Sequence, residues 1–138
     1  MIFHGYDTVM FGDVDASGIG HFAHQVHFLE RAEFQFMEHL HLDPRHWFLT
    51  QYLFPRVHLE VDYVSPLRFG DNMRFDVQIG HLGNTSYALH VDVINLTTQQ
   101  STMSAAVTIV VLDSASRRPC PIPVEMRTAF EPYLMTSS

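Results

Sequence analysis

The sequence predicts an α+β fold in which a curved antiparallel β-sheet wraps around one long central α-helix. Two observations lead to this prediction: one long segment has helical hydrophobic spacing, and later segments alternate apolar and polar residues. Strands and helices do not alternate along the chain, which argues against a parallel doubly wound sheet. A chain of 138 residues suits one compact domain, and we expect residues 1–138 to form it.

The N-terminal part of the chain predicts a short strand, a loop and the long helix. Residues 5–12 have the character of a strand, and residues 13–21 hold two aspartates, two glycines and a serine, which is typical of a loop. Between residues 22 and 42 apolar side chains recur at helical steps, with Asp43-Pro44 as the stop signal. The expected apolar face contains Phe22, Val26, Leu29, Phe36 and Leu40, widened by Phe28, Ala32 and Met37.

Four strands are expected after an aromatic connection at residues 44–55. Residues 57–63, 73–79 and 87–93 alternate apolar and polar side chains, so each strand should bury one face. Turn residues separate these segments, including Gly83-Asn84, and predict that consecutive strands pair as antiparallel hairpins. The last strand, residues 103–112, is apolar on both faces, which indicates a strand covered on both sides, for instance by a partner subunit. A short helix is expected near residues 124–134.

Composition narrows the class of function. The formal net charge of −7 argues against nucleic acid as a partner, because contacts with phosphates need basic patches. All eight basic residues are arginine, so any phosphate must be bound by arginine or by protonated histidine. Cys120 is the single cysteine, no apolar stretch is long enough for a membrane span, and the first residues lack a signal pattern. We therefore expect a cytoplasmic protein that does not bind membranes.

The loop at residues 13–22, D-V-D-A-S-G-I-G-H-F, is the strongest candidate for chemistry. It brings carboxylates to the start of the predicted helix, where free backbone N–H groups carry partial positive charge. Such groups stabilise an oxyanion on a carbonyl, while a neighbouring carboxylate attacks the carbonyl or activates a water molecule. Loop aspartates also cap helices and glycines also serve turns, so the spacing alone leaves a purely structural interpretation open.

Three further motifs follow this loop in order. They are F-L-E-R-A-E at residues 28–33, L-E-V-D-Y-V-S-P-L-R-F-G-D at residues 59–71, and G-N-T-S at residues 83–86. With the loop, these motifs resemble the 4-hydroxybenzoyl-CoA thioesterase family and its bacterial acyl-CoA thioesterase relatives, over most of residues 6–112. The resemblance implies a hotdog fold and hydrolysis of an acyl-CoA or acyl-carrier-protein thioester without a cofactor. It also implies a homodimer or homotetramer with active sites at subunit interfaces.

The resemblance assigns roles to individual residues. Asp15 would be the catalytic carboxylate, acting as nucleophile or general base, and Asp13 would shape the loop. The backbone N–H of Phe22 would bind the thioester oxygen, and Gly18 would let the backbone approach the substrate. The family's basic hairpin residue is replaced here by Gly83, which leaves Arg68 and two other arginines as candidates for the CoA phosphates. The expected substrate contacts are His21, His24, Phe54, Thr85, Ser86, Arg117 and Arg118.

Two other functions remain open from the sequence. A hotdog dehydratase or hydratase uses a histidine with a carboxylate, and His21 lies near Asp15 in the chain. A non-catalytic acyl-CoA or acyl-carrier binding module would keep the fold, although the intact motif around Asp15 disfavours it. The acyl group is not set by the sequence; the aromatic residues between 47 and 54 slightly favour a bulky or aromatic one.

Histidines and helix carboxylates receive structural interpretations. His21, His24 and His27 recur every three residues, but this spacing rotates them around a helix, so we expect no metal site. Glu30 and Glu33 are interpreted as a polar helix face, paired with Arg31 or Arg56.

Overall fold

A computed structural model describes residues 1–48 and 50–136. The elements in chain order are β1 (Phe3–Thr8), α1 (Val26–His39), α2 (Pro44–Trp47), β2 (Tyr52–Leu53), β3 (Arg56–Tyr63), β4 (Asn72–Leu82), β5 (Ser86–Asn95), β6 (Gln100–Val110), β7 (Leu112–Asp113) and α3 (Val124–Phe130). Single 3₁₀ turns lie at Phe11–Asp13 and Glu131–Tyr133. The predicted first strand therefore begins and ends earlier than expected, and the predicted C-terminal helix is present.

Five strands form one antiparallel sheet in the order β1-β4-β5-β6-β3, while β2 pairs with β7. The antiparallel sheet is as predicted, but the expected pairing of β3 with its successor β4 is wrong. β3 lies at the far edge of the sheet and pairs with β6, so that Tyr63 faces Met103. The connection at residues 64–71 is longer than a tight hairpin and crosses the sheet, and its Leu67 is buried in the core.

The alternation predicted for β4 and β5 is confirmed. The inward side chains are at most 2% exposed: Met73, Phe75, Val77, Ile79, Tyr87, Leu89, Val91 and Val93. β6 buries one face in the same way, through Met103, Ala105 and Ile109. Its other face is only half-buried within one chain. One chain therefore does not provide the cover on both faces that we expected for residues 103–112.

The buried face predicted for residues 57–63 is wrong. Val57 is 57% exposed, Leu59 44% and Tyr63 46%. The reason is the position of β3 at the edge of the sheet, where no strand follows it in this chain and α1 packs against β1, β4 and β5 instead. These three side chains are consequently poorly covered, whereas Val61 of the same strand is half-buried against the core.

The central helix is shorter than predicted. It begins at Val26 instead of residue 22, ends at His39, and packs its buried residues against the sheet. The predicted apolar face is largely confirmed, since Phe28, Leu29, Ala32, Phe36 and Met37 are buried. Phe22, by contrast, lies in the turn before the helix, with its side chain 66% exposed. Within the described ranges, no helix has the length and hydropathy that crossing a membrane requires.

Candidate active site

The loop that precedes α1 is closed by its own backbone. The Asp15 N–H donates to the carbonyl of Ile19 and the Gly18 N–H to the carbonyl of Asp15, each at 3.0 Å. Gly18 adopts a φ of +81°, a left-handed conformation that a side chain disfavours. The loop thus holds the Asp15 carboxylate at an exposed position on a defined backbone.

The carboxylate of Asp15 is ionised and open to solvent. Its Oδ1 accepts hydrogen bonds from the hydroxyl of Ser17 and, at 2.8 Å, from the backbone N–H of Ser17. These two bonds, with the charge of His21, hold the pKa of Asp15 below its ordinary value. No hydrogen bond to Oδ2 is found among the described residues, so this oxygen is free to attack a carbonyl or to accept a proton from water.

Asp13 anchors the loop to the helix, as the sequence predicted for a loop-shaping residue. Its carboxylate is buried and accepts two hydrogen bonds from Arg31, at 3.0 and 3.3 Å, and one from the Met10 N–H at 2.8 Å. Burial acts to raise the pKa of Asp13, but the bonds from Arg31 and Met10 outweigh burial and lower it. We expected Arg31 to pair with the helix carboxylates Glu30 or Glu33, but it pairs with Asp13 of this loop instead.

The segment after β3 supports the loop from the other side. The Gly20 N–H donates to the carbonyl of Leu67 at 2.7 Å, and the Phe69 N–H donates to the carbonyl of Gly18 at 3.1 Å. Asp71 in turn accepts bonds from the Arg68 N–H and the buried Asn95 side chain. The motif at residues 59–71 thus ends in a turn that is hydrogen-bonded to the loop around Asp15.

The backbone at Phe22 is held at its carbonyl and open at its N–H. Tyr63 donates from its hydroxyl to the Phe22 carbonyl oxygen at 2.6 Å. The carbonyl of His21 accepts from the Gln25 N–H, and the Ala23 N–H donates to His21 Nδ1. The Phe22 N–H donates no hydrogen bond within the part of the chain that the structure covers. The sequence interpretation did not single out Tyr63, although its motif contained the residue.

Three histidine rings lie close to Phe22 in the chain, one before it and two after it. His21 stacks on Phe22 with ring centroids 4.9 Å apart, and His24 lies 5.7 Å from both His21 and His27. Among residues 1–48 and 50–136, no group of three or more histidine, cysteine, aspartate or glutamate side chains is arranged to hold a metal ion.

The remaining predicted substrate contacts lie at the opposite end of the sheet. Tyr63, which is bonded to Phe22, pairs with Met103 of β6, whereas the hairpin residue Ser86 pairs with Val110. Seven residues of extended strand separate these positions, which is about 23 Å. Phe54, Thr85, Arg117 and Arg118 share the Ser86 end, because they flank the start of β3, the start of β5 and the end of β7. One chain therefore unites Asp15, Gly18, His21, Phe22 and His24, but not the other five.

A cavity of about 650 Å³ lies between α1, α2 and the inner side of β3. Its walls are mainly apolar and include Val26, Leu29, Phe34, Phe48, Leu59 and Val107. Two residues of opposite charge, Glu33 and Arg56, contribute to the same lining. The volume falls within the usual range for small-molecule sites.

We expected Glu33 on a polar helix face, but this prediction is wrong, because Glu33 is only 5% exposed. Its Oε1 accepts a hydrogen bond from Arg56, one of the two partners that the sequence proposed for it. Burial raises the pKa of Glu33, and the charge of Arg56 opposes that rise only partly. Glu30 remains exposed, near His27. Helical spacing contained the signal for this burial, because Glu33 lies four residues after Leu29 and three before Phe36, both on the buried face of α1.

Comparison with known proteins agrees with this architecture. Residues 9–130 match the family model of the thioesterase-like superfamily. The 1,4-dihydroxy-2-naphthoyl-CoA hydrolase of Synechococcus elongatus is 27% identical over 122 residues, which cover 87% of this chain and 88% of the relative. Acyl-CoA thioester hydrolase YbgC of Escherichia coli is 25% identical over 125 residues, covering 89% and 91%.

Among solved structures, a 1,4-dihydroxy-2-naphthoyl-CoA thioesterase from Synechocystis superposes with a TM-score of 0.87 at 19% identity, covering 94% of this chain and 96% of the other. This likeness shows the shared hotdog thioesterase fold. The family resemblance predicted from the motifs is confirmed, and the chain belongs to the thioesterase-like superfamily.

Proposed function

We propose that this protein hydrolyses acyl-CoA thioesters to the free carboxylic acid and CoA. The observation on which the proposal depends is the pairing of an ionised, exposed Asp15 with an open backbone N–H at Phe22, at two ends of one short loop. An acyl-transfer reaction needs these two elements: a group that attacks or activates water, and a donor for the developing oxyanion.

Asp15 acts in one of two ways. As a nucleophile, its free oxygen bonds to the thioester carbon, the C–S bond breaks, and CoA leaves as the thiolate; water then cleaves the mixed anhydride. As a general base, Asp15 takes a proton from the water that attacks the carbonyl. In both routes the Phe22 N–H stabilises the oxyanion. The pKa of Asp15 lies below its ordinary value of 3.8, so the carboxylate is ionised at neutral pH, which both routes need.

A second copy of the chain completes the proposed site. The loop that carries Asp15 is bonded through Phe22 to Tyr63, and the Tyr63 end of β3 lies about 23 Å along the sheet from Ser86, as the register of β6 indicates. Thr85 and the arginine pair Arg117 and Arg118 share the Ser86 end. β3 is an edge strand that exposes apolar side chains, and edge strands readily pair with a second chain. Antiparallel pairing of two β3 strands about a two-fold axis places the Tyr63 end of one chain beside the Arg56 end of the other. We propose a homodimer of this kind, alone or as half of a homotetramer, with active sites at the interface.

CoA is the carrier that we propose, because both relatives described above are named for CoA thioesters. The hotdog hydratase remains the second candidate, because His21 lies near enough to Asp15 to lower the pKa of that carboxylate. Hydration of an enoyl-CoA releases no thiol, so the two reactions are separated by one assay.

The test is steady-state thiol release from a panel of acyl-CoAs by the wild type and Asp15→Asn. We expect at least one acyl-CoA to be cleaved and kcat to fall about 10²-fold or more in the variant, the size of effect that removal of a principal catalytic group produces. Asp92→Asn is the matched control, since Asp92 lies on β5 next to inward-facing Val91 and Val93 and so points away from α1. Full activity in Asp15→Asn excludes the proposed mechanism, and water addition without thiol release favours the hydratase.

A further inference from the structure

The cavity beside α1 begins next to the proposed catalytic loop and extends along the helix. Val26 and His27, in the first turn of α1, contribute to one end, and Glu33 lies seven residues further on. At the helical rise this distance is about 10 Å. A thioester carbonyl held at Phe22, just before α1, can therefore direct its acyl group along the apolar walls towards Glu33.

A charged pair interrupts these apolar walls. Arg56 donates to Glu33 Oε1 and, at 2.8 Å, to the carbonyl oxygen of Phe54, while its guanidinium lies 5.6 Å from the ring centre of Phe48. Glu33 Oε2 is buried and has no hydrogen-bond partner within the described residues. A buried polar atom without a partner is unfavourable, and a ligand group that bonds to it recovers that free energy.

We propose that Glu33 and Arg56 form a specificity-determining site that binds a hydroxyl group at the far end of the substrate's acyl chain. This inference rests on the proposed thioesterase function, because it takes the cavity as the acyl-binding site. It adds the chemical class of the acyl group: apolar along its length and hydroxylated at its end.

The chemistry of the pair favours a hydroxyl over other polar groups. Glu33 Oε2 accepts a hydrogen bond when ionised and donates one when protonated, and Arg56, with its side chain 37% exposed, has further N–H donors. A hydroxyl both donates and accepts, so it satisfies either form of Glu33. A carboxylate meets repulsion from ionised Glu33, and an ammonium group meets repulsion from Arg56.

The shape of the cavity sets the length of the acyl group. Phe34 and Phe48 line it together with aliphatic side chains, so the middle of the acyl group must be apolar, whether aromatic or aliphatic. A short acyl group placed at Phe22 does not reach Glu33 across about two helical turns. Glu33 and Arg56 therefore distinguish hydroxylated from unhydroxylated acyl groups only when these are of medium length or bicyclic.

The first experiment measures binding and does not depend on turnover. Calorimetry compares two non-hydrolysable thioethers, octyl-CoA and its counterpart with a terminal hydroxyl, on the wild type, Glu33→Gln, Glu33→Leu and Arg56→Met. We expect the hydroxylated thioether to bind the wild type at least about tenfold more tightly, as for a hydrogen bond to a charged group. The preference should fall in Glu33→Gln, which keeps the side-chain shape, and disappear in Glu33→Leu.

The second experiment compares thiol release from octanoyl-CoA and its terminally hydroxylated counterpart. Cleavage of both at equal kcat/KM overturns the hydroxyl site but leaves the thioesterase function standing. If neither is cleaved, octanoyl thioesters are not substrates of this protein, and the calorimetric comparison alone decides whether the hydroxyl site exists. Equal binding of the two thioethers, binding of neither, or a preference that persists in both Glu33→Leu and Arg56→Met also overturns the proposal.

A third variant tests what fills the cavity. Val107→Phe places a ring in the cavity from β6, so it should lower kcat/KM for octanoyl-CoA more than for acetyl-CoA while the sedimentation coefficient stays unchanged. A change in oligomeric state with unaltered chain-length preference shows that a segment of a second subunit occupies the cavity, and this result overturns the proposal. Leu134→Phe, on the exposed C-terminal turn, is the control for the added ring.

Discussion

The hydroxyl of Tyr63 and the carbonyl oxygen of Phe22 are 2.6 Å apart and share a hydrogen bond. The bond joins the end of β3 to the turn before α1, and it fixes the peptide that follows Phe22 while the Phe22 N–H stays open. Tyr63 is therefore expected to position the oxyanion donor without touching the substrate carbonyl.

Tyr63→Phe should reduce kcat of thiol release about 3- to 30-fold with a smaller change in KM, because the oxyanion donor loses its alignment in the transition state. Tyr6→Phe is the control, since the Tyr6 side chain is 59% exposed on β1 and only its backbone atoms form the hydrogen bonds found for it among the described residues. Equal kcat values for the two variants, measured on the same acyl-CoA, contradict a positioning role.

Gly18 is required by its backbone conformation and not by crowding. A β-carbon built at Gly18 meets no atom within 4 Å, but the φ of +81° is unfavourable for any L-residue. Gly18→Ala should lower the free energy of unfolding by about 1–2 kcal/mol in urea denaturation. Gly12→Ala is the matched control, because Gly12 has equal space and no positive φ, and it should change stability by less than about 0.5 kcal/mol. Similar losses in both variants contradict the assignment of strain to Gly18.

The pairing of Asp13 with Arg31 predicts a defined dependence of stability on pH. Because the pKa of Asp13 is lowered in the folded state, its stabilising contribution is complete above the ordinary value of 3.8 and is lost as pH falls through the depressed pKa. The free energy of unfolding of Asp13→Asn should therefore be about 1–3 kcal/mol lower than that of the wild type at neutral pH. This difference in stability should narrow as the pH falls below 3.8.

Denaturation curves of the wild type and Asp13→Asn at several pH values check this expectation. Glu131→Gln, an exposed position on the C-terminal 3₁₀ turn, should track the wild type throughout. A gap that stays constant down to acid pH shows that the carboxylate charge of Asp13 is not the source of its contribution.

The exposed edge at β3 predicts self-association. Sedimentation equilibrium of the wild type should give a mass of two or four times 15.9 kDa. Val57→Asp places a charge on the exposed edge strand and should shift the equilibrium to the monomer, with a loss of activity that high protein concentration restores. Val124→Asp, at the 79% exposed start of α3, is the control. A wild type that is monomeric at concentrations where it is fully active contradicts the interface site.

Local sequence patterns correctly predicted the strands in the middle of the sheet. Alternation in β4 and β5 located both strands and their inward faces, because a strand flanked on both sides must turn one face to the core. The loop around Asp15 was likewise readable, since its glycines and aspartates suit only a few backbone conformations. The four N-terminal residues of the predicted helix were assigned wrongly, because Phe22 continues the apolar spacing while its backbone still forms a turn.

Alternation does not reveal which strand lies next to which. Val57, Leu59 and Tyr63 alternate as well as the core strands do, yet they lie on an edge strand and remain exposed. Glu33 shows the converse, since a charged residue in a helix is expected in solvent and is instead buried against Arg56. Both outcomes depend on contacts between residues that are distant in the sequence.

The sequence by itself determined the α+β class, the family and the loop that we propose as catalytic, because the order of elements and the motif residues are local properties. Only the tertiary structure decided that β3 crosses to the far edge, that the hairpin and Arg117 lie about 23 Å along the sheet from the Tyr63 end of β3, and that Glu33 faces a cavity. The physical reason is that hydrophobic periodicity records which faces avoid water, whereas strand order and cavity lining depend on which distant segments provide the cover.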